Sequence, residues 1–282
     1  MRSGIQVDGM DDQLRNGLWN CVLMHMPERH EWSVLARMMA SECFKLPLDS
    51  LKDDDTWSKS WLRERFFEAQ WFECYDLIEC LAAVDAMLYD LDSQRLGIHL
   101  RTSPPAFRQA VNSILEREMS GYRFVGPTIA PITNPTETEA VAMAISDSDR
   151  PGLTGASIHL KTAVEMLGKR PNPDYRNSIK ESVSAVEFTV NRLAKTEVKG
   201  VDGALAKLTH PFGIHRTIGE FIKKLYGFAS DASGVRHALK ETPDVGLAEA
   251  KLMLVSSAAV VNFMLQKADA HADATRVVLS TD

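Results

Sequence analysis

Residues 174–187 read DYRNSIKESVSAVE, and their spacing predicts the helix around which the second half of the chain is organised. Apolar residues recur at every third or fourth position, as on the buried face of an amphipathic helix. These positions are Tyr175, Ile179, Val183, Val186 and Val190. Pro173 and Asp174 precede them, and both residue types are common where helices begin. The sequence therefore predicts a long helix that starts near residue 174 and buries one side.

The opposite side of this predicted helix is polar. Its polar residues are Asn177, Lys180, Glu181, Ser184 and Glu187. Arg176 and Asn177 fall in the first turn, where free backbone N–H groups favour an anion. Two interpretations stay open: an anion-binding surface, or the solvent side of an amphipathic helix.

A second polar cluster, residues 231–237, reads DASGVRH. Gly234 permits a tight turn, Arg236 offers a planar fork for phosphate, and His237 titrates near neutral pH. The two clusters together could bind a phosphate or transfer a proton. The alternative is structural, with Arg236 pairing with Asp231 or Asp174 to hold a loop between helices.

The remaining pattern predicts a mainly α fold of two helical domains. Amphipathic or capped segments begin near residues 12, 56, 104, 156, 174, 205, 214 and 247. Residues 122–133 contain Gly126-Pro127 between β-favouring residues, which predicts a short hairpin. Residues 146–155 are rich in Ser, Asp, Pro and Gly, as linkers often are. We therefore expect an N-terminal domain over 1–150 and a C-terminal helical bundle over 151–282.

The charge of the chain limits its general affinity for nucleic acid. The formal net charge is −6 over 282 residues, so the whole chain is not a general binder of polyanions. Residues 171–240 are the exception, because 11 Lys and Arg against 7 Asp and Glu give +4. Both polar clusters lie in this basic stretch.

Cysteine usage and hydropathy predict a cytoplasmic protein. The four cysteines lie among apolar neighbours without zinc-site spacing, which favours reduced, buried thiols and no metal. The N-terminus is polar, and the longest apolar run, residues 254–265, is shorter than the ~20 residues of a membrane span. Phosphate-loop, nucleophile-elbow and zinc-protease signatures are absent from the sequence, so no cofactor is expected.

Several segments resemble bacterial abortive-infection proteins of the AbiJ-like type. In the first half these are residues 14–20 (LRNGLWN), 71–76 (WFECYD) and 116–124 (EREMSGYRF). In the second half they are residues 174–187, 225–227 (LYG) and 233–238 (SGVRHA). The resemblance covers most of the chain, so it concerns a whole architecture.

The C-terminal half is similar to the HEPN superfamily of helical bundles. Many members are metal-independent RNases of toxin–antitoxin and antiphage systems, and they work as dimers with the sites at the dimer cleft. In those nucleases an Arg that supports the phosphate precedes a catalytic His by four to six residues. Here Arg236 and His237 are adjacent, so a site would combine them with Arg176 and Lys180 from the other cluster.

The resemblance implies two alternative functions. In the first, the chain is an RNase effector of antiphage defence and a homodimer: Arg176, Asn177, Lys180 and Arg236 bind RNA, and His237 is the acid or base. Glu187 or Glu181 then orients His237. In the second, the bundle is a non-catalytic sensor or scaffold that binds a phage protein or a defence partner, and Asp174, Glu181 and Asp231 form an internal polar network.

Overall fold

The computed structural model describes residues 5–26, 31–96, 104–197, 199–231 and 245–279. Within these ranges the chain forms eleven α-helices and one two-stranded hairpin, which confirms the mainly α fold. Contacts divide the chain into two compact units, residues Met1–Thr133 and Asn134–Asp282. The predicted boundary after residue 150 lies seventeen residues further along.

The first unit consists of five helices and the hairpin. The helices are α1 (Asp12–His25), α2 (Trp32–Met39), α3 (Asp55–Glu68), α4 (Trp71–Leu96) and α5 (Pro104–Arg117). A π-helical turn (Ala40–Phe44) and a 3₁₀ turn (Leu48–Ser50) follow α2. Asp11 accepts a hydrogen bond from the backbone N–H of Leu14, so it caps α1.

The single helical segment predicted to begin near residue 56 is in fact two helices, α3 and α4. Ala69 has an extended conformation and ends α3. Arg15 Nη1 then donates to three carbonyl oxygens at this end, over 2.8–3.1 Å. The Glu73 carboxylate accepts from the backbone N–H of Gln70 at 2.7 Å. Because the break is stabilised by an arginine that is distant in the sequence, the local spacing of apolar residues does not predict it.

The predicted hairpin is present. Strand β1 (Arg123–Val125) pairs antiparallel with β2 (Thr128–Ala130), and Phe124 lies opposite Ile129. Gly126 has a φ of 62°, which glycine adopts without steric cost. The hairpin lies after α5, and its inner residues Phe124 and Ile129 belong to the hydrophobic core of the unit.

The expectation of four reduced thiols is half wrong. Cys43 and Cys80 form a disulfide with a Cα–Cα distance of 6.2 Å, which links the π-helical turn to α4. Cys21 and Cys74 are free and buried. Burial raises the pKa of Cys21 to about 12 and that of Cys74 to about 11, so both are protonated at neutral pH. The separation of 37 residues between Cys43 and Cys80 is not a recognisable motif.

The second unit is a helical bundle. Its helices are α6 (Pro135–Ser148), α7 (Thr154–Gly168), α8 (Tyr175–Leu193), α9 (Asp202–Thr209), α10 (Arg216–Asp231) and α11 (Leu247–Leu279). Helix α8 packs against α7 and α11, and α6 packs against the same two helices. The sequence did not predict α6, and of the expected linker only residues 149–153 lie outside helices. Helix α8 begins and runs as its spacing predicts.

Helix α11 contains the apolar run that was expected to be too short for a membrane span. Residues Leu247–Ala274 are long and apolar enough to cross a membrane by length and composition alone. In this structure α11 contacts α6, α7 and α8, and its Leu254, Val261 and Met264 are fully buried. These contacts are those of a central bundle helix.

Candidate functional site

The first polar cluster begins with a helix cap. The Asp174 carboxylate accepts from the backbone N–H of Asn177 at 3.1 Å and from its side-chain amide at 2.7 Å. Asp174 is therefore the N-cap of α8, as its position predicts. Asn177 was predicted to bind an anion, and the structure places its amide against the capping carboxylate.

The cationic residues of the cluster lie one turn apart on α8. Lys180 is exposed, and its Nζ lies 3.9 Å from Glu181 Oε1. Arg176 is partly buried. Because residues four apart lie on the same side of a helix, Arg176 and Lys180 occupy one side of the first two turns.

Glu181 joins this cluster to a histidine that the sequence analysis did not single out. His159 Nδ1, on α7, lies 2.7 Å from Glu181 Oε2. A carboxylate on one imidazole nitrogen fixes the ring and leaves Nε2 for another group. Glu181 was expected to orient His237 or to belong to a polar network, and the histidine it contacts here is His159.

Glu187 holds the segment that follows α8. Its Oε1 accepts from the backbone N–H of Gly200 at 2.7 Å, and Asn191 Nδ2 donates to the Gly200 carbonyl at 3.0 Å. Gly200 has a φ of 90°, in the region that favours glycine. Glu187, predicted to orient His237, thus contacts backbone in this structure.

The structure does not describe the side chains of the second polar cluster, residues 231–237. Arg236 and His237 lie outside the described residues. Asp231 is the last residue of α10, and its side chain is likewise not described. The combined site of Arg176, Lys180, Arg236 and His237 remains a prediction.

A cleft of about 660 Å³ opens between α7 and α8 beside this polar face. The residues that line it from α7 and α8 are Thr154, Gly155, His159, Ser184, Glu187, Phe188, Asn191 and Arg192; Gly152 lines it from the turn before α7, and Thr196, Glu197 and Lys199 line it from the segment after α8. Of the described residues that were predicted for the site, only Glu187 lines it. Sequence reasoning missed the other residues that line the cleft, because they come from two helices and the segments beside them, and no single motif joins these parts of the sequence.

In the part of the chain that the structure describes, no group of three or more His, Cys, Asp or Glu side chains has the arrangement of a metal site. The chemistry available at the cleft is that of a histidine–carboxylate pair, two cationic side chains and an amide.

The fold and the site define a class: a mainly helical protein of two units, in which a helical bundle carries a polar cleft. Residues 1–147 match the family model described as AbiJ N-terminal domain 4. The match covers more than half of the 282 residues, and the chain belongs to this family. No curated protein and no solved structure matches the chain.

Family membership supports a role in abortive infection and confirms that part of the resemblance. The match ends at residue 147, within α6. The similarity of residues 151–282 to HEPN bundles therefore stays a prediction.

Proposed function

We propose that the chain is an abortive-infection effector that stops phage growth by cutting RNA without a metal ion. The observation that carries the proposal is the family match over residues 1–147. The helices after residue 147 form a bundle together with α6, and a helical bundle is what the HEPN resemblance leads one to expect. The bundle presents Lys180 to solvent one turn from Arg176, in the basic part of the sequence.

The proposed chemistry is an internal transesterification. The ribose 2′-hydroxyl oxygen forms a bond to phosphorus while its proton passes to His237, and the bond from phosphorus to the 5′-oxygen breaks. The 5′-oxygen takes up a proton, which leaves a 2′,3′-cyclic phosphate and a 5′-hydroxyl end. Arg236, Arg176 and Lys180 offset the charge on the phosphate. The acting form is a cytoplasmic homodimer.

A second candidate is a non-catalytic sensor or scaffold that binds a phage or host protein. The observation in its favour is that several polar side chains of α8 contact other groups of the bundle. Asn177 donates to Asp174, Glu181 contacts His159, and Glu187 accepts from Gly200. Side chains held in this way stabilise helix packing without any ligand.

An infection assay tests the proposal. Bacteria that express the chain are expected to plate a sensitive phage less efficiently than cells with an empty vector, and Arg236→Ala/His237→Ala cells are expected to lose that protection. The control is Lys207→Ala, which removes an exposed cation from α9. Equal protection by the double variant at equal protein level would favour the scaffold.

A further inference from the structure

The cleft between α7 and α8 has the size and lining of a site for one small ligand. Its volume of about 660 Å³ lies within the range of roughly 300–1,000 Å³ that is usual for such sites. All of its lining residues belong to the second unit. The cleft is distinct from Arg176, Asn177 and Lys180, none of which lines it.

One wall of the cleft is aromatic because a glycine makes room for it. A Cβ atom on Gly155 would lie 2.5 Å from Phe188 Cε2, closer than any real contact. Glycine at 155 therefore lets the Phe188 ring lie directly against α7. The ring is only partly buried, and its centroid is 6.5 Å from that of His159. An accessible aromatic ring beside polar groups is a surface on which nucleobases stack.

An acceptor without a partner lies in the same wall. Asn191 Oδ1 is buried, and no described residue donates a hydrogen bond to it. The orientation of the amide is fixed, since Nδ2 donates to the Gly200 carbonyl. A buried polar atom without a partner is costly, so a ligand N–H that reaches Oδ1 would be favoured. Nucleobases carry such N–H groups on their edges.

The rim of the cleft provides donors for a phosphate. Arg192 Nε donates to the Gly152 carbonyl at 2.9 Å, which holds the guanidinium in place. Arg192 is exposed, so its guanidinium can also donate to an anion at the rim. Lys199 is exposed beside it. Glu197 also lines the cleft and is a suitable acceptor for a ribose hydroxyl.

We propose that this cleft binds one ribonucleotide. Its base lies against Phe188 and donates to Asn191 Oδ1, and its phosphate contacts Arg192 and Lys199. The nucleotide is an unpaired residue of an RNA strand or a free nucleotide. Binding of an RNA strand rests on the proposed function, because the cleft would then hold part of the RNA that is cut. Binding of a free nucleotide does not rest on it.

Calorimetric titration of the full chain tests this proposal with adenosine and uridine, their 5′-monophosphates, and a short single-stranded oligoribonucleotide. Phe188→Leu keeps an apolar side chain but removes the ring, so it is expected to weaken both nucleoside and nucleotide by about tenfold or more. Arg192→Gln is expected to weaken only the ligands with a phosphate. Glu165→Gln, on an exposed position of α7 outside the cleft, is expected to bind like the unchanged chain.

Circular dichroism and thermal unfolding show whether each variant is folded. Arg192 is exposed, so Arg192→Gln still tests the proposal if Phe188→Leu does not fold. The proposal would be overturned if the unchanged chain binds none of these ligands. It would also be overturned if both folded cleft variants bind them as tightly as the unchanged chain does. Binding of mononucleotides but not of the oligoribonucleotide identifies a free nucleotide as the ligand. If the chain binds nucleotides but does not cleave RNA, the proposed nucleotide site stands and the proposed RNase activity is wrong. If it cleaves RNA but does not bind nucleotides, the RNase activity stands and the nucleotide site is wrong.

Discussion

His237→Ala is expected to slow RNA cleavage by about 10²- to 10⁴-fold, which is the usual contribution of a general acid or base. The 2′-hydroxyl must lose a proton as it attacks phosphorus, and no metal hydroxide is expected to accept that proton. The measurement is the single-turnover rate on transfer RNA and total RNA in the presence of EDTA. Lys207→Ala, which removes an exposed positive charge elsewhere in the second unit, is expected to keep the unchanged rate.

His159→Ala separates two assignments of the acid or base. The structure pairs His159 with a carboxylate, since its Nδ1 lies 2.7 Å from Glu181 Oε2. If His237 is the acid or base, His159→Ala retains more activity than His237→Ala. The opposite order would move the acid or base to the cleft between α7 and α8. Cleavage that is equal in all variants would indicate a contaminating nuclease.

Ile179→Ala is expected to lower the free energy of unfolding by about 3 kcal/mol, within the usual 2–5 kcal/mol for such a truncation. Ile179 is fully buried in α8, the helix that packs against both α7 and α11. Removing its side-chain carbons loses burial and leaves a cavity that a rigid bundle cannot fill. Denaturant unfolding followed by circular dichroism measures the change.

Ile158→Ala is the matched control, because it makes the same substitution at a side chain that is 57% exposed on α7. Its expected cost is below about 1 kcal/mol, since exposed positions have little packing to lose. Equal effects of the two substitutions would contradict the burial of the α8 face and hence the bundle itself.

Local signals in the sequence were enough for most helices. The spacing from Tyr175 to Val190 predicted α8 and its buried face, and Asp174 predicted the cap. Gly126 marked the hairpin turn. Such signals act within a few residues, so they can be read without the fold.

Features that depend on distant contacts were missed. The break between α3 and α4 is stabilised by Arg15, more than fifty residues away. The Cys43–Cys80 disulfide and the His159–Glu181 pair each join two elements that only the fold brings together.

Helix α6 was missed because its Ser- and Asp-rich end resembles a linker, although its Val141 and Ala144 are fully buried.

The most direct test of the proposed function is the sequencing of RNA ends from phage-infected bacteria that express the unchanged chain or Arg236→Ala/His237→Ala. The proposed chemistry predicts new 5′-hydroxyl ends, each matched by a 2′,3′-cyclic phosphate, after infection of cells with the unchanged chain and not with the double variant. If cells with the unchanged chain are protected while their RNA ends match those of the double variant, the chain does not act by cutting RNA.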